Sequence, residues 1–310
     1  MVLFGGYMLY RGGFQAGGTP AEMSTLWERF SEMRGVAGIS NAERPWVQVI
    51  PIVGALLLVY TLVDKIRRRS FGPTDAFFLC FLMLMYAYFL GPADMMGAGL
   101  MVWRLQFTPY FCLLLWVGSA HYPGWARAAL TTIGVVIAFS LIVIRLPYHQ
   151  KASRTVEELL TVRDYIDDRS TVLPLSYDFA GQTPEGEKVT DYAWLFLHAA
   201  DYIGSDKSLI MMGNYEGGTF NFPLIWRWER NPYNYLGTDK GGIESLPPHV
   251  NILDYPNRTG GTNIDYVLLF CPKCEFRDHD NLKDVYRQLN ERYDLIFTTK
   301  TGLGELYKRK

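Results

Sequence analysis

Residues 46 to 63, WVQVIPIVGALLLVYTLV, carry no charge, and Lys65, Arg67, Arg68 and Arg69 follow almost at once. As a helix rising about 1.5 Å per residue, this stretch reaches roughly 27 Å, close to the hydrocarbon thickness of a bilayer. A short basic loop beside a span marks the cytoplasmic side. The stretch is therefore expected to cross from outside to inside and to set the side of every later element. A buried helix of a soluble protein would show the same run, but three more apolar stretches follow, at roughly 75–91, 100–120 and 126–145. Alternation then puts loops 64–74 and 121–125 inside, and loop 92–100 and everything after 146 outside. Arg127 joins the tetrabasic loop on the inner side, with Trp46 and Trp103 at the outer interface and Trp125 at the inner one.

The charge distribution agrees. Up to His149 there are 11 Lys and Arg against 7 Asp and Glu, and from Gln150 onward 19 against 24. A sparsely charged half followed by a densely charged one reads as an α-helical polytopic membrane domain joined to an extracytoplasmic α/β domain. The second half, of about 160 residues, is long enough for one core. No excess of positive charge favours nucleic acid.

Three segments are expected. Residues 1–45 hold the remnant of a span, MVLFGGYMLY, whose beginning is expected upstream, and a short amphipathic helix. That helix opens at Thr19-Pro20-Ala21-Glu22, a capping pattern, and carries Met23, Leu26, Trp27, Phe30 and Met33 at helical spacing. It fits the membrane interface and a packed position on neighbouring protein equally. Residues 46–146 hold the four spans. Residues 147–310 hold the α/β domain: a helix at Ala152–Asp168, strands at Thr171–Leu175 and Ser208–Met212, a helix at Tyr192–Ile203, a buried strand at Ile264–Phe270, a helix at Asn281–Arg292, and closing strands at Asp294–Thr299 and Glu305–Lys308. Between the second strand and the third lies a long stretch rich in Gly, Pro, Asn and aromatics. Alternating helix and strand predicts a two- or three-layer domain.

Four stretches carry a family resemblance: VWRLQFTPYFCLLLW, VLPLSYD, NYEGGTFNFPLIWR with the following NPYNYLG, and IDYVLLF with the closing YRQLNERYDLIFTTKTGLGELYKRK. In this order the chain resembles the C-terminal half of bacterial integral-membrane glycosyltransferases of the GT-C superfamily. The resemblance implies transfer of a sugar from a polyprenyl-phosphate carrier to a glycan or lipid acceptor at the outer leaflet of the bacterial cytoplasmic membrane. It implies the lipid bilayer as surroundings, no cofactor held by this chain, and at most a divalent metal in the full-length enzyme. The superfamily's catalytic acid sits in the first outer loop after the first span. The chain shows no such loop, so no catalytic residue is assigned. A non-catalytic, membrane-anchored extracytoplasmic binding module is the alternative.

Candidate chemistry is read residue by residue. Arg104, at the outer end of the third span, could hold a carrier phosphate in its guanidinium fork, or could snorkel beside Trp103. Asp94 reads as a loop residue. Asn214 and Glu216 follow a strand, with Gly217-Gly218 behind them to permit close approach. Trp226 and Arg227 lie in an aromatic run with Phe220, Phe222, Trp228, Tyr233 and Tyr235. These four residues could stack on a sugar and bond its hydroxyls, or the loop could fold onto a membrane face. Cys271 and Cys274 form CPKC, open to a disulfide, a redox pair or half a zinc site; in an oxidising compartment a local disulfide is the simplest outcome. Zinc would need further ligands, and His279 is the one histidine nearby. Cys80 and Cys112 fall in apolar spans as packing residues. Asn257-Arg258-Thr259 fits a glycosylation sequon, which has no role in the bacterial setting the resemblance implies. His198 reads as a packed or surface histidine. No nucleotide-phosphate loop, Ser-His-Asp order or HExxH motif is present.

Overall fold

The computed structural model describes residues 23–33, 37–90, 105–182, 186–191, 193–218 and 223–310. The chain divides into two compact units, Met1–Ile144 and Arg145–Lys310.

The first unit is helical: α1 (Met23–Ser31), α2 (Arg44–Arg68), α3 (Ala76–Leu90), α4 (Phe107–Gly118) and the first part of α5 (Gly124–Leu160). Pro45 opens α2, where a missing N–H costs nothing. Lys65, Arg67 and Arg68 close it, where cations favour the helix dipole. Arg69 then takes a left-handed conformation, and Ser70 N bonds Lys65 O across 3.1 Å to finish the helix. At this basic end Lys65 pairs with Asp75 at 2.8 Å, and the Trp116 indole donates to the same carboxylate. That ties α2, the entry to α3 and α4 together. Leu26 and Phe30 of α1 pack against Tyr88, Phe89 and Leu105, and the Tyr88 hydroxyl donates to Leu26 O. So α1 takes the packed position, although Trp27 stays exposed.

Among the described residues three helices are long and apolar enough to cross a membrane: Asn41–Arg68, Pro73–Leu90 and Gly124–Tyr165. Of the expected third span, 100–120, the described part is the shorter apolar helix Phe107–Gly118; Trp103, Arg104, and Asp94 in the loop before it lie outside the described residues.

The two units divide within a few residues of the expected boundary near Pro147, but the expected span 126–145 and the expected helix Ala152–Asp168 are one helix. Pro147 lies inside α5, which runs 37 residues without interruption. A proline there removes one backbone bond, and the long helical runs on both sides carry that loss.

In the second unit, five strands form one sheet: β1 (Thr171–Ser176), β2 (Ile210–Met211), β3 (Tyr266–Phe270), β4 (Tyr293–Thr298) and β5 (Gly304–Arg309), in the order β2-β1-β3-β5-β4. β1, β2 and β3 are parallel; β5 runs antiparallel to β3 and β4. Strand alternation sends successive side chains to opposite faces, and both faces are covered. Leu173, Leu175, Val267, Leu269 and Tyr307 share one core with Leu282, Val285 and Leu289 of α9 (Asp280–Arg292). Val172, Tyr266, Leu268, Phe270 and Leu306 share the other with Leu159, Val162, Phe196 and Ile203. The domain therefore has three layers. Between β2 and β3 the short α7 (Pro232–Tyr235) and α8 (Tyr255–Arg258) interrupt irregular chain.

One expected helix is corrected. Tyr192–Ile203 holds helix only from Asp201, in α6 (Asp201–Ser205). Upstream, Leu197 N bonds back three residues to Trp194 O, as Ala199 N does to Phe196 O. These are tight three-residue turns, and they still present Phe196, Ala199 and Ile203 to the core. The apolar spacing was that of a helix; the hydrogen bonding is not.

Candidate functional site

Parallel strands leave a crevice outside their carboxyl ends where neighbouring connections diverge, and β1 and β3 meet that condition: β1 connects to β2 on one side, and β2 returns to β3 on the other. A small cavity of about 30 Å³ sits there, lined among others by Ser176, Phe270, His198, Asp201, Gly213 and Glu244. That is room for about two waters.

The loop after β1 is built to reach it. Asp178, buried, accepts from Ala180 N and Gly181 N at 2.9 Å each, closing an Asx turn. Gly181 has φ +81°, and a Cβ there would fall 2.1 Å from the Phe196 ring. Only glycine fits, and the fit lets Phe196 stack on Phe270 at the end of β3, 5.4 Å between centroids. Two residues on, His198 reaches the rim. Its Nδ1 lies 3.6 Å from Asp201 Oδ2, and its ring stacks on Tyr215 at 5.6 Å. From the far loop, Glu244 Oε1 stands 2.8 Å from the Tyr233 hydroxyl, which is also 2.7 Å from Gly213 O. One phenolic proton cannot fill both contacts; a proton on Glu244 would complete them. Desolvation by the packed protein holds the Glu244 carboxyl above its usual range, as it does that of Asp201. The Tyr233 hydroxyl is raised for the same reason.

The sequence-derived residues stand beside this crevice. The Asn214 side chain accepts from Gly217 N at 3.3 Å, and its backbone carbonyl accepts from the Trp226 indole at 2.9 Å. Trp226 N returns a bond to Gly217 O at 2.7 Å. Asn214 and Trp226 thus meet across twelve residues, and their contacts close the loop on itself. A Cβ on Gly217 would sit 2.8 Å from the indole nitrogen, which is the close approach the glycine pair permits. Trp226 and Arg227 line an open groove of about 890 Å³ with Gly218, Trp228, Arg230 and Gly260. Asn214 and Glu216 are not in its lining; Glu216 takes a 3.4 Å contact from the neighbouring Tyr215 hydroxyl. Arg104 lies outside the described residues and cannot be placed with them.

Cys271 and Cys274 are joined in a disulfide, which leaves neither sulfur as a zinc ligand. The turn they close directs Lys273 to the buried carboxylate of Glu305 at 2.7 Å, where the Tyr286 and Tyr307 hydroxyls also donate. CPKC in this structure serves the end of the sheet. Among the described residues no group of three or more His, Cys, Asp and Glu side chains is placed to hold a metal ion, so no step through a metal is derived.

The sequence reading passed over Asp201 and Glu244, took His198 as a packed or surface histidine, and placed Tyr233 only in the aromatic run. They come from separate loops and share no spacing. The available signal was positional: each belongs to a connection leaving or following the carboxyl end of β1 or β2. Comparison with protein-family models, with curated proteins and with solved structures found no match.

Proposed function

We propose that this chain is part of a membrane glycosyltransferase that takes a sugar from a polyprenyl-phosphate carrier, with its α/β domain on the extracytoplasmic side of a bacterial cytoplasmic membrane. The observation that carries the reading is the pairing of two features. Helices of membrane-spanning length precede an α/β domain, and the carboxyl ends of that domain's parallel strands present carboxylates, an imidazole and aromatic rings. Asp201 and Glu244 can accept hydrogen bonds from sugar hydroxyls, and the stacked Tyr215 and His198 rings offer a flat face to a sugar ring. Arg104 would hold the carrier phosphate. The test is transfer by the full chain, in bilayer nanodiscs, from a radiolabelled polyprenyl-phosphate sugar. Transfer, with carrier binding reduced in Arg104→Ala, is the expected result; carrier binding unchanged in that variant removes Arg104 from the role.

A second reading, a non-catalytic glycan-binding module, draws on one observation. The enclosed part of the crevice, about 30 Å³, is far below the volume of roughly 300 Å³ or more that a small-molecule pocket usually has. Glycan binding without any transfer would favour it.

A further inference from the structure

The domain has a defined entry side. Glu158 of α5 accepts from Thr301 N at 2.8 Å in the β4–β5 turn, and Leu159 lies against Gly304, the residue paired with Phe270 at the carboxyl end of β3. Earlier on the same helix, Lys151 pairs with Glu187 in the loop after β1. Beyond α5 the chain crosses to the other end of the strands, where Asp167 accepts from Tyr266 and Lys308 at the start of β3. So α5 reaches the sheet at the carboxyl ends of β1 and β3.

The loops at that end expose what a soluble surface normally covers. Leu224, Ile225 and Trp228 are 73%, 68% and 71% exposed within five residues, and Trp194 and Leu195 are exposed on the loop after β1. Arg227 and Arg230 flank the apolar side chains, with Glu229 between them, so the segment 224–230 carries one net positive charge. Aliphatic and indole side chains bordered by arginine suit the boundary between headgroups and acyl chains, where the indole sits at headgroup level and guanidinium meets phosphate.

We infer that the loop Leu224–Arg230 docks on the surface of a phospholipid bilayer, with Leu224, Ile225 and Trp228 entering the acyl boundary and Arg227 and Arg230 meeting anionic headgroups. The occupant is the membrane because exposed aliphatic and indole side chains bordered by guanidinium groups match the acyl–headgroup boundary, and the same chain carries helices apolar enough to span one. This rests on the membrane part of the function proposed above.

The experiment uses the full chain with Cys80 and Cys112 changed to serine and a single introduced cysteine carrying an environment-sensitive fluorophore, in nanodiscs containing anionic lipid, with and without doxyl-labelled lipid quencher. Three positions are compared: Leu56→Cys in α2, Ile225→Cys in the loop, and Asp168→Cys at the opposite end of the sheet. Doxyl lipid is expected to quench the Leu56 and Ile225 sites at least about twofold and to leave the Asp168 site bright. Adding Arg227→Glu and Arg230→Glu should restore most of the fluorescence at position 225 alone. Quenching at 56 with position 225 as bright as 168 overturns the inference and leaves the membrane reading standing. No quenching at 56 or at 225 overturns both. Leu224→Cys repeats the loop measurement, so that a folding defect in one variant does not decide it.

Discussion

The two halves of this chain use the same side chains in opposite ways. In the α/β domain Leu173, Val267, Leu268 and Leu289 are wholly buried. In the helical unit Leu56, Leu79, Phe139 and Ile142 are each more than 60% exposed. Burying an aliphatic side chain is worth about 1.5–3 kcal/mol relative to leaving it in water, so the first set holds its domain together without help from outside. The second set would work against solubility in water and costs nothing in hydrocarbon. One half covers its apolar side chains with its own core; the other presents them for an apolar environment to cover. In the helical unit the charged contacts lie near the two ends of α2, Lys65 with Asp75 and Arg44 with Glu32, and in the domain polar contacts spread over loops and strand ends.

The strongest way to break this contrast is a matched pair of truncations. Leu269→Ala, in the core of the sheet, is expected to cost about 2–5 kcal/mol, while Leu56→Ala should change stability by no more than about 1 kcal/mol in a membrane mimic. Chemical denaturation of the full chain in detergent, followed by a probe in each half, measures both; equal losses would erase the distinction. Next in size is Glu305→Ala, which strands the Tyr286 and Tyr307 hydroxyls and frees Lys273. A loss of about 1–3 kcal/mol is expected, and an unchanged midpoint would mean that water replaces the carboxylate. Trp226→Phe removes the indole bond to Asn214 O and should cost about 1 kcal/mol, with increased proteolysis between residues 214 and 230 as the local readout.

The smallest effect is a pH dependence. Burial holds the Asp178 carboxyl above its usual range, against the pull of the two backbone N–H bonds it accepts. A carboxyl raised on folding binds more protons in the native state, so its contribution is fully present below the unfolded value near 3.8 and is lost as pH rises through the raised one. Asp178→Asn keeps an acceptor for both bonds and cannot ionise. The variant should be slightly more stable than the parent above that window and show a flatter profile across it, measured by thermal midpoints from pH 3 to 7. A steeper profile in the variant would contradict the assignment.

Much of the fold is legible in the sequence because periodicity reports burial. The runs TVLPL and YVLLF, the helix Asp280–Arg292 and the closing hairpin all appear within a residue or two of their expected positions. The apolar runs give three helices of spanning length. Where periodicity and hydrogen bonding part company, the sequence misleads. The 192–203 segment has the apolar spacing of a helix, yet it folds as tight turns because Phe196 N is taken by Phe179 O. The units divide near Pro147 as expected, but the helix expected at Ala152–Asp168 is the end of α5, which carries Pro147 inside it. The crevice was the least legible feature. His198 and Asp201 are three residues apart, but Tyr215, Tyr233 and Glu244 join them only because β1 and β2 lie side by side. Asn214 and Trp226 were visible as residue types, and the structure gives their bonds to the closure of their own loop.

Everything proposed for this chain depends on its first half residing in lipid, and one fractionation tests that. Membranes from cells making the full chain are washed with alkaline carbonate, then extracted with detergent. The account predicts that the chain stays in the carbonate pellet and is released only by detergent. Recovery in the carbonate supernatant as a monodisperse, folded protein would contradict it, and the exposed faces of α2, α3 and α5 would then need a protein partner in place of a bilayer.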